Sequence, residues 1–263
     1  MDELSYWKKQ TNQKPLFPDI IWNKPERKDQ FGKLGIIGGN KFNFLAVSDA
    51  YKTALLTGVE DLRILLPASL KRIMPNDISS KIIFSKDNQS GSLNLEARHD
   101  LDSIGQWSDG ILLIGDTGQN SETSILLENF ISKYEKPVVI TRDAVNLLTH
   151  GEELLQKNNI IFILSLAQLQ KIFRNIYYPK VISFSMQLMS LIESLHQFTI
   201  TYQVAIMVFH EKHIVLAQNG TVITQPYDTP TKLWNGYVAT KAASFIIWNN
   251  NIFKSVATSL IEN

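Results

Sequence analysis

The sequence predicts an α/β fold: a mostly parallel central sheet with helices on both faces and an antiparallel edge near the C-terminus. Three observations predict it. Short apolar runs alternate with amphipathic segments from about residue 33 to residue 200, the order that builds a parallel sheet. The stretch Gly32–Pro67, GKLGIIGGNKFNFLAVSDAYKTALLTGVEDLRILLP, reads as strand, glycine turn, helix, glycine stop and strand, one βαβ unit. From Tyr202 to Thr224, three short apolar runs are separated by Glu211-Lys212 and Asn219-Gly220, the pattern of a meander with tight turns.

Taken in order, residues 1–30 form a polar arm that docks on the body, residues 31–263, which reads as one domain. Pro15, Pro18 and Pro25 discourage helix in the arm, while Phe17, Ile20, Ile21 and Trp22 supply apolar contacts. Strands follow at Leu34–Ile37, Leu62–Leu66, Lys81–Phe84, Ile111–Ile114, Pro137–Ile140 and Ile160–Leu164. Helices are predicted from Ala46 to Gly58, Leu93 to Gln106, Ser121 to Tyr134, Leu166 to Phe173 and Val181 to Phe198, then Val238 to Trp248 and Phe253 to Ile261. In the Ser121 helix the apolar stripe is Ile125, Leu126, Leu127, Phe130 and Ile131.

The 26 basic and 25 acidic residues give no bulk field for nucleic acid or an anionic membrane. With no cysteine, disulfides, thiolate metal sites and thiol nucleophiles are excluded. The N-terminus lacks the apolar core of a secretory signal, and no apolar run approaches the ~18 residues of a spanning helix, so a cytoplasmic protein is expected. The histidines give no metal signature, since His210 and His213 form HEKH rather than HExxH, with His210, Glu211 and Lys212 facing solvent on a hairpin turn; His99, His150 and His196 are scattered. GxGxxG, GxxxxGK and GxSxG are absent.

Two features remain. Gly38-Gly39-Asn40 ends the first strand beside a helix start, where backbone N–H groups favour anions, although any βα turn is free to use glycine. Asp116 and Asp143 follow strands at their carboxyl ends, where ligands bind in open parallel sheets. A helix N-cap is the plainer role for either acid.

GKLGIIGGN, with the small-residue helix through Ala46 and the stop at Gly58, resembles the opening of the ADP/ATP-dependent NAD(P)H-hydrate dehydratases, which are ribokinase-like. ILLIGDTGQNSET is similar to their strand, GPGLG and acid-Thr helix start. KPVVITRDAVNLL is similar to KPLVLDADALNLL, and RKDQFGK to the segment HKGxxG. The match spans roughly residues 24–148 and then thins.

The resemblance implies a ribokinase-like three-layer sandwich, with the hydrate and nucleotide over the strand ends. ADP or ATP, with Mg, would phosphorylate the hydrate's hydroxyl, and loss of phosphate would restore NADH or NADPH. On the substrate side it implies Gly38, Gly39, Asn40, Ala46, Gly115, Gly118, Asp143 and Asn146. The later motifs are degenerate. Leu164–Leu169 stands where the family has TPHxGE, without its His or Glu. The KGA turn falls near Leu216–Thr221, leaving Gln218, Asn219 and Thr221 as nucleotide contacts. GSGD falls on Leu233–Gly236, which leaves Asn235 and Gly236 toward the nucleotide and puts Gly236 at the base position.

Asp228 is the candidate substitute base and Lys232 or Lys241 the candidate replacement for lost charge, although an exposed loop acid and surface lysines are the plainer reading. Loss of the base and the anion hole together predicts a catalytically impaired homologue. The alternatives are an active dehydratase using substitute residues and a binding or scaffold protein without a nucleotide site. Expected partners are a small molecule and, as in bacterial members of the family, a second copy of the chain, through Trp234, Trp248 or Phe253; these aromatics also suit a core. Phe42, Phe44 and Leu45 stand where the family is smaller, which leaves two alternatives, a substrate pocket that is open and one filled by these side chains.

Overall fold

The computed structural model describes residues 4–73, 79–148, 151–249 and 251–262. The elements are β1 (Trp7–Lys9), α1 (Pro18–Trp22), β2 (Lys33–Gly38), α2 (Leu45–Thr57), β3 (Asp61–Pro67), β4 (Ile82–Ser85), α3 (Arg98–Trp107), β5 (Gly110–Gly115), α4 (Ser121–Lys133) and β6 (Val138–Thr141). They continue with α5 (Ala144–Leu147), β7 (Ile160–Leu164), α6 (Leu166–Asn175), α7 (Leu188–Thr201), β8 (Ala205–His210), β9 (His213–Gln218), β10 (Thr221–Pro226), α8 (Pro230–Trp234), α9 (Tyr237–Ile246) and α10 (Ile252–Ser259).

All ten strands form one sheet in the order β1-β10-β9-β8-β7-β6-β5-β2-β3-β4. Strand β5 is buried along its whole length, as expected of a central strand covered on both faces. One apolar layer gathers residues of α3, α4, α6 and α7 on one face of the sheet. Residues of α2, α9 and α10 cover the other. The result is an α/β three-layer sandwich.

The chain builds outward through β2, β3 and β4, then returns so that β5 lies against β2 on its other side. That reversal makes the carboxyl ends of β2 and β5 a topological switch point, the crevice where open α/β sheets accept ligands. Gly38 and Gly115 are paired there, past a register shift in the ladder.

Three expectations change. The meander β8–β9–β10 exists, but β9 alone runs against the other strands, and β1 pairs in parallel with β10, so the meander is not an edge. Pro18 starts α1 instead of discouraging helix, as Pro230 starts α8, because the first helical position needs no N–H. Helix α7 begins at Leu188 rather than Val181, with Val181 and Phe184 exposed in the connection before it.

Candidate functional site

Where β5 ends, Gly115 takes a left-handed conformation (φ 97°), and a Cβ there would stand 2.5 Å from Asp143 Oδ1. The Asp143 carboxylate fits against this glycine and accepts from the backbone N–H groups of Asp116 (2.6 Å) and Gly118 (3.0 Å). It makes no capping bond to α5, although it precedes that helix. Burial pushes the Asp143 carboxyl up from its ordinary range, opposed by those two N–H donors and by the Arg142 charge. Asp143 therefore braces the β5–α4 loop.

Asp116 is the centre of the arrangement. Its side chain is only 5% exposed, and its Oδ1 accepts from Arg142 Nη2 at 2.7 Å. Its Oδ2 accepts from the Ala46 N–H at 2.9 Å, in the first turn of α2. Helix α2 has no side-chain cap from Phe44, so an acid brought from the neighbouring strand end complements its N-terminus. The Asp116 carbonyl also accepts from Asn40 Nδ2 at 2.7 Å, while Asn40 Oδ1 accepts from the N–H groups of Phe42 and Asn43. The start of α2 is thus met by the protein's own carboxylate, while the turn amides of Gly39 and Asn40 donate to the Gly115 and Asn43 carbonyls.

Arg142, between β6 and α5, extends across the strand ends. Besides Asp116, its Nη1 donates to the Trp234 carbonyl at 3.0 Å, and its own carbonyl accepts from Gln168 Nε2 at 2.7 Å. Its Nε is buried without a partner. On the far side, Gly236 precedes α9 with φ 93°, and a Cβ there would meet Ile114 Cδ1 at 2.5 Å. Asn235 Oδ1 accepts from the Tyr237 N–H at 3.0 Å, so the first amide of α9 is also satisfied from within.

A cleft of about 480 Å³ remains beside Arg142, between β6, β7, α6 and α8; Asn146, Ser165, Gln168, Lys171 and Trp234 line it. A smaller cleft of about 310 Å³ shares Leu164, Ser165 and Trp234 with it and adds Phe184, Phe209 and His210. The larger cleft carries Arg142 and Lys171 and no acid. Trp234, 53% exposed, stands at its lip and meets Phe209 edge to face. This is a basic, aromatic-edged depression over the strand ends.

The structure brings together Gly38, Gly39, Asn40, Ala46, Gly115, Gly118 and Asp143 around Asp116, with Asn146 beside Arg142 and with Asn235 and Gly236 opposite. Asp228 lies exposed just after β10 at the same end, next to Tyr227, whose N–H donates to the Lys212 carbonyl. Gln218, Asn219 and Thr221 lie at the other end of the sheet, because β9 runs backward; Gln218 Nε2 donates to the Asn158 carbonyl before β7. They do not join the strand-end site.

Phe42 and Leu45 do not fill the substrate side: they are 82% and 63% exposed, and Phe44 alone packs on the core. His210 is buried at 7% exposure, against the expected solvent-facing turn, and its ring nitrogen contacts the Met186 carbonyl at 2.6 Å. Glu211 beside it accepts from the Leu188 N–H that opens α7. His150 lies outside the described residues. Among the described residues, no three His, Asp or Glu side chains gather in a metal-binding group. Trp248 and Phe253 are half-buried against the core.

Arg142 is the residue that sequence reading missed. The signal available was a basic residue between a strand end and Asp143, facing a second strand-end acid.

No family model and no curated protein sequence matches the chain. Solved structures do. A ribokinase-like superfamily protein from Enterococcus faecalis V583 superposes with a TM-score of 0.72 at 12% identity, covering 98% of this chain and 86% of that one. An ADP/ATP-dependent NAD(P)H-hydrate dehydratase from Bacillus subtilis, co-crystallised with ATP/Mg2+ and soaked with CoA, gives 0.67 at 13% identity over 94% and 86%. A phosphomethylpyrimidine kinase from Clostridium difficile 630 gives 0.57 at 12% over 87% and 97%. At these identities the likeness establishes architecture, and the chain has the ribokinase-like fold.

Proposed function

We propose that this chain is a diverged relative of the NAD(P)H-hydrate dehydratases whose strand-end site binds a small anionic molecule and no longer transfers a phosphoryl group. The observation that carries this reading is the bridge from Asp116 through Arg142 to the Trp234 carbonyl. Phosphoryl transfer needs donors left free for the moving phosphate and a base for the attacking hydroxyl. Here the α2 and α9 starts are each met by an internal oxygen, and Asp116 and Asp143 are engaged in holding loops. The residues present do not fit a nucleotide phosphate at the α9 start, where Asn235 Oδ1 already takes the Tyr237 N–H.

What stays open is the basic cleft. Lys171 suits a carboxylate or phosphate there, since Arg142 is already paired with Asp116, and Trp234 offers a flat apolar face to an attached ring.

The test is to supply chemically hydrated NADH with ATP or with ADP and follow the dihydronicotinamide absorbance. No return of absorbance above the protein-free rate is expected. Enzyme-dependent recovery that disappears in Asp228→Ala would instead establish an active dehydratase, the second reading, which rests on Asp228 being exposed at the correct end of the sheet.

A further inference from the structure

A second basic site lies away from the strand-end cleft, on the α2–α9 face. Lys24, Lys232 and Lys241 line a pocket of about 380 Å³ with Thr53, Tyr237 and Glu262. Lys232 Nζ pairs with Glu262 at 2.7 Å, so the one carboxylate among the described lining residues is already engaged. Lys232 and Lys241 share the Tyr237 ring, with their ammonium groups 5.4 and 6.0 Å from its centroid. Lys24 approaches from the chain before β2, its ammonium 5.7 Å from the Phe245 ring. Three cations thus converge on one pocket against one acid.

Lys241 is the most constrained of them. It is half-buried on α9, and its Nζ reaches the Ile261 carbonyl at 3.3 Å. Burial holds its ammonium below the usual lysine range, and the Lys232 and Lys24 charges act the same way against the Glu262 carboxylate. A dianion in the pocket would offset the repulsion among the three lysines and give Lys24 and Lys241 a charge partner beside the one that Glu262 gives Lys232. Lysines bind phosphate as point charges, and a phosphate monoester carries about −1.5 to −2 near neutral pH, which matches the two charges left uncompensated.

We infer that this pocket is a binding site for a phosphate-bearing small molecule, held by Lys24, Lys232 and Lys241 and independent of the strand-end cleft. Its size suits a compact ligand. Tyr237 joins the pocket to the start of α9, so an occupant would also fix the turn that carries Trp234 and Asn235.

The experiment is isothermal titration of the intact chain with inorganic phosphate, pyrophosphate and a pentose phosphate, each against potassium chloride at matched ionic strength. Saturable heat is expected with at least one of them; its strength across the three separates a free-phosphate site from an ester site. Lys241→Gln should weaken that binding at least about tenfold, and so should Lys24→Gln combined with Lys232→Gln, which leaves Lys241 in place on α9. Lys171→Gln, in the strand-end cleft, should leave it unchanged. No heat beyond chloride, or affinity unmoved in both lysine variants, overturns the inference. Binding lost only in Lys171→Gln also overturns it, while supporting the strand-end cleft as the anion site.

Discussion

At the scale of single residues, the site turns on one acid with two duties. Asp116 neutralises Arg142 and meets the amide that opens α2, both from a nearly buried position. Replacing it with alanine strands a half-buried guanidinium and exposes an uncapped helix start at once. Asp116→Ala should lower unfolding free energy by roughly 2–4 kcal/mol, as breaking a partly buried ion pair does. Urea denaturation of the purified variant reads this directly. A loss under about 1 kcal/mol, the value of a surface pair, would mean that the arginine finds other partners.

At the scale of elements, the N-terminal arm is part of the sheet rather than a body resting on it. β1 adds three residues beside β10, and the junction is held by Gln10, whose Nε2 donates to Gln225 Oε1 and to the Ala257 carbonyl, both at 2.8 Å. Gln10 Oε1 accepts from the Leu16 N–H. Gln10→Ala should therefore loosen β1 ahead of the body. Hydrogen exchange at the Val222 amide, which donates to the Tyr6 carbonyl, should quicken by at least about tenfold while β5 amides keep their protection.

Physical reasons separate what could be read from the chain from what could not. Strands β2, β3, β5 and β7 are apolar runs bounded by glycine, proline or polar residues, so composition and length identify them without tertiary information. Trp7-Lys8-Lys9 has too few residues to show a period, and it becomes a strand only because β10 offers a free edge. The acids of the site were visible as strand-end acids. Their partners were not, because Arg142 lies 26 residues from Asp116 in the chain and 92 from the Trp234 carbonyl, and only the order of strands brings them together. The turn at Asn219-Gly220 was placed at the wrong end for the same reason: strand direction, not local sequence, decides it.

At the scale of the molecule, the sheet is continuous from β1 to β4 and each helical layer spans it, so the strand ends form a seam between early and late parts of the chain. No described helix is long and apolar enough to cross a membrane. The Arg142 bridge fastens this seam, and its place has a consequence for time rather than for energy. Contacts of long sequence separation tend to form after local βα units have assembled, because the closure entropy of the intervening chain must first be met. A bond that joins residues 92 apart at the rim of the sheet belongs to the late steps of folding. Arg142→Gln should accordingly speed unfolding in stopped-flow denaturant jumps by about tenfold for each 1.4 kcal/mol lost, and leave the refolding rate nearly untouched. The bridge that closes the site then serves as a latch on the folded chain, lengthening its lifetime more than it hastens its formation.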